Sequence, residues 1–121
     1  MKCANDFLIA VSKNDGVLFS QCISKGCIEK IRQFVGYLGG AGLVGILSVE
    51  EYLQITTDAI DENLAELFGY DYMENITYTE EKDENGITKA VRFAVNGKEA
   101  VVKCDLEDGN YVITDYSQLE E

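Results

Sequence analysis

The side chains able to do chemistry in this 121-residue chain are its cysteines and carboxylates, and histidine is absent. Without histidine the chain lacks the usual general base, the usual proton switch near neutral pH and the commonest metal ligand. The cysteines stand at positions 3, 22, 27 and 104, one C-x₄-C pair followed by two distant singles counted from either end. A thiolate metal site is normally assembled from close pairs, so the cysteines are expected to serve as small apolar side chains and no metal is expected. Ser24 and Cys27 have no histidine to activate them, and Lys25 and Lys30 would lower a thiol pKa only modestly. Carboxylates are plentiful, and Asp58, Asp61 and Glu62 crowd one stretch. Acid–base catalysis, however, needs a cleft that shifts a carboxyl pKa. The chain is therefore read as non-enzymatic, with no catalytic residues.

Two further motifs imitate ligand sites. Gly40-Ala41-Gly42-Leu43-Val44-Gly45 matches G-x-G-x-x-G letter for letter. A dinucleotide site needs that loop between a strand and a helix. Here a helical pattern precedes it and no lysine follows to make a phosphate-binding loop, so it is read as a connector and no cofactor is expected. Glu81-Lys82-Asp83-Glu84-Asn85-Gly86 resembles the start of a calcium loop, but the position that requires a bidentate glutamate is Arg92.

The elements that would position these residues are legible from periodicity. Over 48–69, Val49, Leu53, Thr56, Ile60, Leu64 and Leu67 fall on one side of a helix. Ser48 with Glu51 three positions later fits the capping box, and Gly69 suits the left-handed position past the end. A second helix is expected over 25–38, with Ile28, Ile31, Val35 and Leu38 at helical spacing and Gly39-Gly40 as its stop. After Tyr72 the period becomes two. Strands are expected around Ile76–Tyr78, Ala90–Val95, Glu99–Leu106 and Tyr111–Tyr116, joined by turns at Asp83–Gly86, Asn96-Gly97 and Asp108–Asn110. Pairing across Asn96-Gly97 sets Phe93 opposite Ala100 and Val91 opposite Val102. For residues 6–23 a hairpin through Asn14-Asp15-Gly16 is preferred, and the alternative is a short helix capped by Asn5 or Asp6. The expected fold is α+β: an N-terminal hairpin or short helix, two helices, then a four-stranded antiparallel β-meander packed on the helices.

Charge divides this single domain of residues 1–121. Residues 1–47 are near neutral, with five bases and three acids, whereas residues 48–121 carry nineteen acids against five bases. Between Glu50 and Glu84 there are twelve acids and one lysine. On the helix, Glu51, Asp58, Asp61, Glu62 and Glu66 fall opposite the apolar stripe, with Ile55 among them. Asp58, Glu62 and Glu66 form an i, i+4, i+8 series whose neighbouring like charges each cost about 0.2–0.5 kcal/mol. Their rise of about 6 Å per step is close to the separation of phosphates along one nucleic-acid strand, on the order of 6–7 Å. Such a face fits a Lys/Arg-rich groove, with Ile55 as an apolar anchor. Glu80, Glu81, Asp83 and Glu84 supply a second acidic turn.

In size, charge and lack of a catalytic set the chain is similar to small acidic phage-encoded inhibitors of host defence nucleases (anti-CRISPR-like) and to immunity proteins of nuclease toxins. The likeness implies a non-enzymatic inhibitor that acts as a nucleic-acid mimic on a basic, nucleic-acid-binding enzyme; it carries no alignable motif and so assigns no residues. The partner-binding residues expected from the chain's own pattern are Glu51, Ile55, Asp58, Asp61, Glu62, Glu66, Glu80, Glu81, Asp83 and Glu84. Direct nucleic-acid binding is not expected without a basic stripe, nor is membrane binding, since anionic lipid repels this charge. No charged-then-apolar leader opens the chain and no apolar run approaches roughly 18 residues, so a cytoplasmic protein with reduced thiols is expected, as monomer or homodimer. The alternatives are a structural or adaptor module that self-associates through a strand edge or the apolar side of the helices, and a small ligand-binding protein or enzyme built on the glycine loop.

Overall fold

A computed structural model describes residues 1–38 and 48–120. The expected glycine stop at 39–40 and the G-x-G-x-x-G loop lie outside the described residues. Among the described residues five helices, α1 (Lys2–Ser12), α2 (Gly16–Cys22), α3 (Lys25–Leu38), α4 (Val49–Phe68) and α5 (Tyr72–Asn75), precede four strands. The strands are β1 (Thr77–Lys82), β2 (Thr88–Val95), β3 (Lys98–Glu107) and β4 (Asn110–Asp115), and a 3₁₀ turn at Ser117–Leu119 follows. The sheet is antiparallel in the order β1-β2-β3-β4. The architecture is the expected α+β single domain.

The meander forms for the reasons its turns announce. Asn96 and Gly97 take φ of 51° and 83°, and Asp108 and Gly109 take 53° and 81°, so both two-residue turns hold positive φ at both central positions. The resulting register pairs Phe93 with Ala100 and Val91 with Val102, as expected. Val91, Phe93, Val95, Ala100, Val102, Cys104 and Ile113 are buried in one core with the helices. Phe7, Phe19 and Tyr116 join helices to sheet, with ring centroids 5.3–6.2 Å apart.

The N-terminal segment corrects the preferred reading. No hairpin forms over residues 6–23, where α1 and α2 stand instead. Ala4, Phe7, Leu8 and Val11 are buried at i, i+3, i+4 and i+7, the spacing of one helical face. Neither Asn5 nor Asp6 caps α1, which begins after Met1 without a side-chain cap. Asn14 turns the chain with φ of 52°. The Asp15 carboxylate then caps α2 by accepting from Leu18 N at 3.0 Å. Gly16 is needed for space, since a Cβ there would meet Gln54 Oε1 at 3.1 Å and Leu53 Cβ at 3.3 Å on α4. Its N–H donates to that same Gln54 oxygen at 2.9 Å.

α3 occupies the expected span. Ser24 Oγ accepts from Cys27 N, and the Glu107 carboxylate accepts from Lys25 N, so the β3–β4 turn helps cap the helix start. Between α2 and α3, Ile23 makes a parallel bridge to Ile113 and covers the outer edge of β4. β1 is the other edge, exposed along its full length and ending in Glu-Glu-Lys, charges that discourage edge pairing.

Candidate functional site

α4 is the element that carries the expected surface. Ser48 Oγ accepts from Glu51 N at 3.1 Å, and Gly69 ends the helix with φ of 102°. Leu53, Thr56, Ile60 and Leu64 are buried as expected, and Val49 is half-buried. At the C-terminal end Phe68 takes the core position and Leu67 is exposed.

The ten expected binding residues separate into two kinds. Glu51, Ile55, Asp58, Glu62 and Glu66 are exposed on α4, and Ile55 is 58% exposed among the acids. None of these four carboxylates forms an ion pair among the described residues. Asp61 is set apart: it is half-buried at the other border of the helix and accepts a hydrogen bond from the Tyr72 hydroxyl at 2.5 Å. That bond and burial push the Tyr72 pKa well above its ordinary range, with desolvation the larger cause.

The acids near the β1–β2 turn are largely spent on the hairpin. Glu80 accepts from the buried Thr88 hydroxyl at 2.7 Å. Glu81 shares Arg92 with Glu99, at 3.1 and 2.8 Å. Asp83 accepts from the backbone of Asn85 and Ile87, which shapes the turn. Glu84 alone of the four makes no side-chain bond among the described residues. The turn is also remote from the C-terminal end of α4. Residues Ala65–Gly69 border Val95 and Asn96, at the far end of β2 from Asp83, and seven residue steps of strand span about 23 Å. Glu66 and the acidic turn therefore do not share one local patch.

Sequence periodicity overlooked an apolar strip beside the acids. The Phe34 ring of α3 lies against the Tyr52 ring of α4, centroids 5.4 Å apart and planes tilted by 56°. Phe34 is 46% exposed and Tyr37, one turn further along α3, is 72% exposed. The available signal was the i, i+3 spacing of Phe34 with Tyr37 and of Tyr52 with Ile55, which the core-seeking pattern of the two helices set aside.

The remaining chemistry is muted. All four thiols are free, and burial pushes Cys3, Cys22 and Cys104 up to about 11, 12 and 11. Those three are thiols rather than thiolates near neutral pH, which makes them poor nucleophiles. Among the described residues no group of three His, Cys, Asp or Glu is placed to hold a metal ion. No buried side-chain nitrogen or oxygen lacks a hydrogen-bond partner among them. A cleft of about 660 Å³ between the α1–α2 turn, α3 and the start of α4 sets Lys13 and Arg32 alongside Asp15 and Glu50, so no single charge dominates it. Among the described residues no helix is long and apolar enough to cross a membrane. No family model, curated protein or solved structure matches this chain.

Proposed function

We propose that this chain is a non-enzymatic acidic binding protein that occupies a basic, nucleic-acid-binding surface of a partner protein, such as a nuclease. The observation that carries the reading is the exposed row Glu51, Asp58, Glu62 and Glu66 on one helix, unrelieved by any base on α4 and flanked by exposed Ile55. An uncompensated row of like charge opposes helix stability, and a partner supplying Lys and Arg offsets that cost on binding. Long-range attraction would also speed the encounter. The anti-defence or toxin-immunity role suggested by resemblance, and the cytoplasm as compartment, belong to this proposal. Because Glu80, Glu81 and Asp83 are held within the hairpin, α4 rather than the turn is the principal contact.

The test is the double reversal Asp58→Lys with Glu62→Lys. It should abolish partner binding at moderate salt while leaving the thermal midpoint unchanged or raised. Binding that survives the double reversal would sink the proposal. The structural-adaptor alternative rests on the exposed edge of β1, whose first residues, Thr77 to Thr79, carry no charge to oppose pairing. It predicts a concentration-dependent, salt-insensitive dimer in sedimentation.

A further inference from the structure

The exposed apolar strip on α3 and α4 has an arrangement that selects a kind of partner. Phe34 touches Tyr52. Tyr37 lies one turn beyond Phe34 on α3, and Ile55 one turn beyond Tyr52 on α4. Residues at i and i+3 on a helix are surface neighbours, so the four side chains form one continuous strip across the seam between the helices. On α4 the strip borders the acidic row directly: Ile55 is four residues from Glu51 and three from Asp58. Exposed rings in a shallow seam, rimmed on one side by unpaired carboxylates, differ from a scatter of surface apolar residues.

We infer that this strip is the docking site for an arginine-bearing amphipathic helix of the partner, an inference that rests on the reading just given. The charge beside the strip decides the sign of the occupant. A second copy of this chain would bring a net charge of −12 to a chain of the same charge, and that repulsion opposes self-association. A basic segment is attracted instead. Arginine suits the site better than lysine because its planar guanidinium stacks on aromatic faces and binds carboxylates in a two-pronged fashion. The seam between two packed helices accepts a helix laid along it, with an apolar side chain set over Tyr52 and Ile55 and arginines reaching Tyr37 on one flank and Asp58 or Glu62 on the other.

The chain has no tryptophan, so a tryptophan in a probe peptide reports its own burial by fluorescence. The probe is a synthetic amphipathic helix with several arginines, leucines on one face and a single tryptophan among them, titrated at about 0.15 M salt. Wild-type protein should shift the tryptophan emission to the blue. Phe34→Ser with Tyr37→Ser should weaken binding about tenfold or more, and a lysine-for-arginine probe should bind less tightly. A melting curve checks the fold of the double variant, and Tyr37→Ser alone serves if that variant unfolds. If the aromatic variant binds like wild type while Asp58→Lys with Glu62→Lys does not, this inference fails and the acidic-row reading stands. If neither variant affects the titration, both fail. A salt-insensitive dimer that Tyr37→Ser dissolves would make the occupant a second copy and overturn the inference.

Discussion

The Tyr72 hydroxyl donates a 2.5 Å hydrogen bond to Asp61, so one carboxylate of α4 is turned toward its own protein while its neighbours face solvent. This divides the acids of one helix by role. Asp61→Ala leaves a mostly buried hydroxyl without its partner and should cost about 1–3 kcal/mol. Asp58→Ala, at an exposed position with no internal bond, should stay within about 0.5 kcal/mol of wild type. Urea denaturation separates the two, and equal costs would contradict the division. In a binding assay the order reverses, with Asp58 sensitive and Asp61 indifferent.

Two glycines should fail on alanine substitution for different reasons. At Gly97 nothing lies within 4 Å of a new Cβ, but φ of 83° makes alanine strained. The expected loss is about 1–2 kcal/mol. At Gly16 the backbone conformation is ordinary and the space is taken by Leu53 and Gln54. Overpacking there should cost about 1–3 kcal/mol. Shifts in urea midpoint measure both, and a fully tolerated Gly16→Ala would mean that α2 does not pack closely on α4.

Helix starts give a second stability test. Asp15 caps α2 and Ser48 caps α4, each through one side-chain acceptor. Replacing either by alanine should lower stability by about 1 kcal/mol. Losses near zero at Asp15 would argue against α2 as a helix and return the N-terminal segment to the hairpin reading.

Those same residues explain what the sequence could and could not convey. The meander was legible because Asn96-Gly97 and Asp108-Gly109 specify turns whose backbone few other residues adopt, and the turns set the register. α4 was legible because both its ends are signalled locally. Asn14-Asp15-Gly16 misled because the same three residues suit a hairpin turn, and the deciding contact is with Gln54, 38 residues away. The expected surface was over-counted for a similar reason. Charge can be read from sequence, but whether Glu81 meets Arg92 or Asp61 meets Tyr72 depends on strand register and on α5, a short helix without a periodic signal.

Alkaline pH should destabilise the protein under reducing conditions. Burial holds Cys3, Cys22 and Cys104 at about 11, 12 and 11 in the fold, against about 8.5 in an unfolded chain. The stability linked to these protons is fully present below about pH 8.5. As pH rises from there through the folded values, the unfolded chain releases protons first, and stability falls. Tyr72 and Tyr116 are raised mainly by burial and act in the same direction at higher pH. Urea midpoints at about pH 7, 9 and 10.5 should decrease in order, and Cys22→Ala should flatten the slope. A midpoint constant across that range would contradict the buried placement of the thiols.

An acidic face of α4 that stands in for nucleic acid should compete with nucleic acid for the partner. The most direct measurement is capture of partners from a lysate of the source cells on immobilised protein, eluted by added nucleic acid and repeated with Asp58→Lys plus Glu62→Lys. A basic nucleic-acid-binding protein should be retained, displaced by nucleic acid, and lost with the double reversal. Retention that nucleic acid does not displace, or that the double reversal leaves intact, would contradict it.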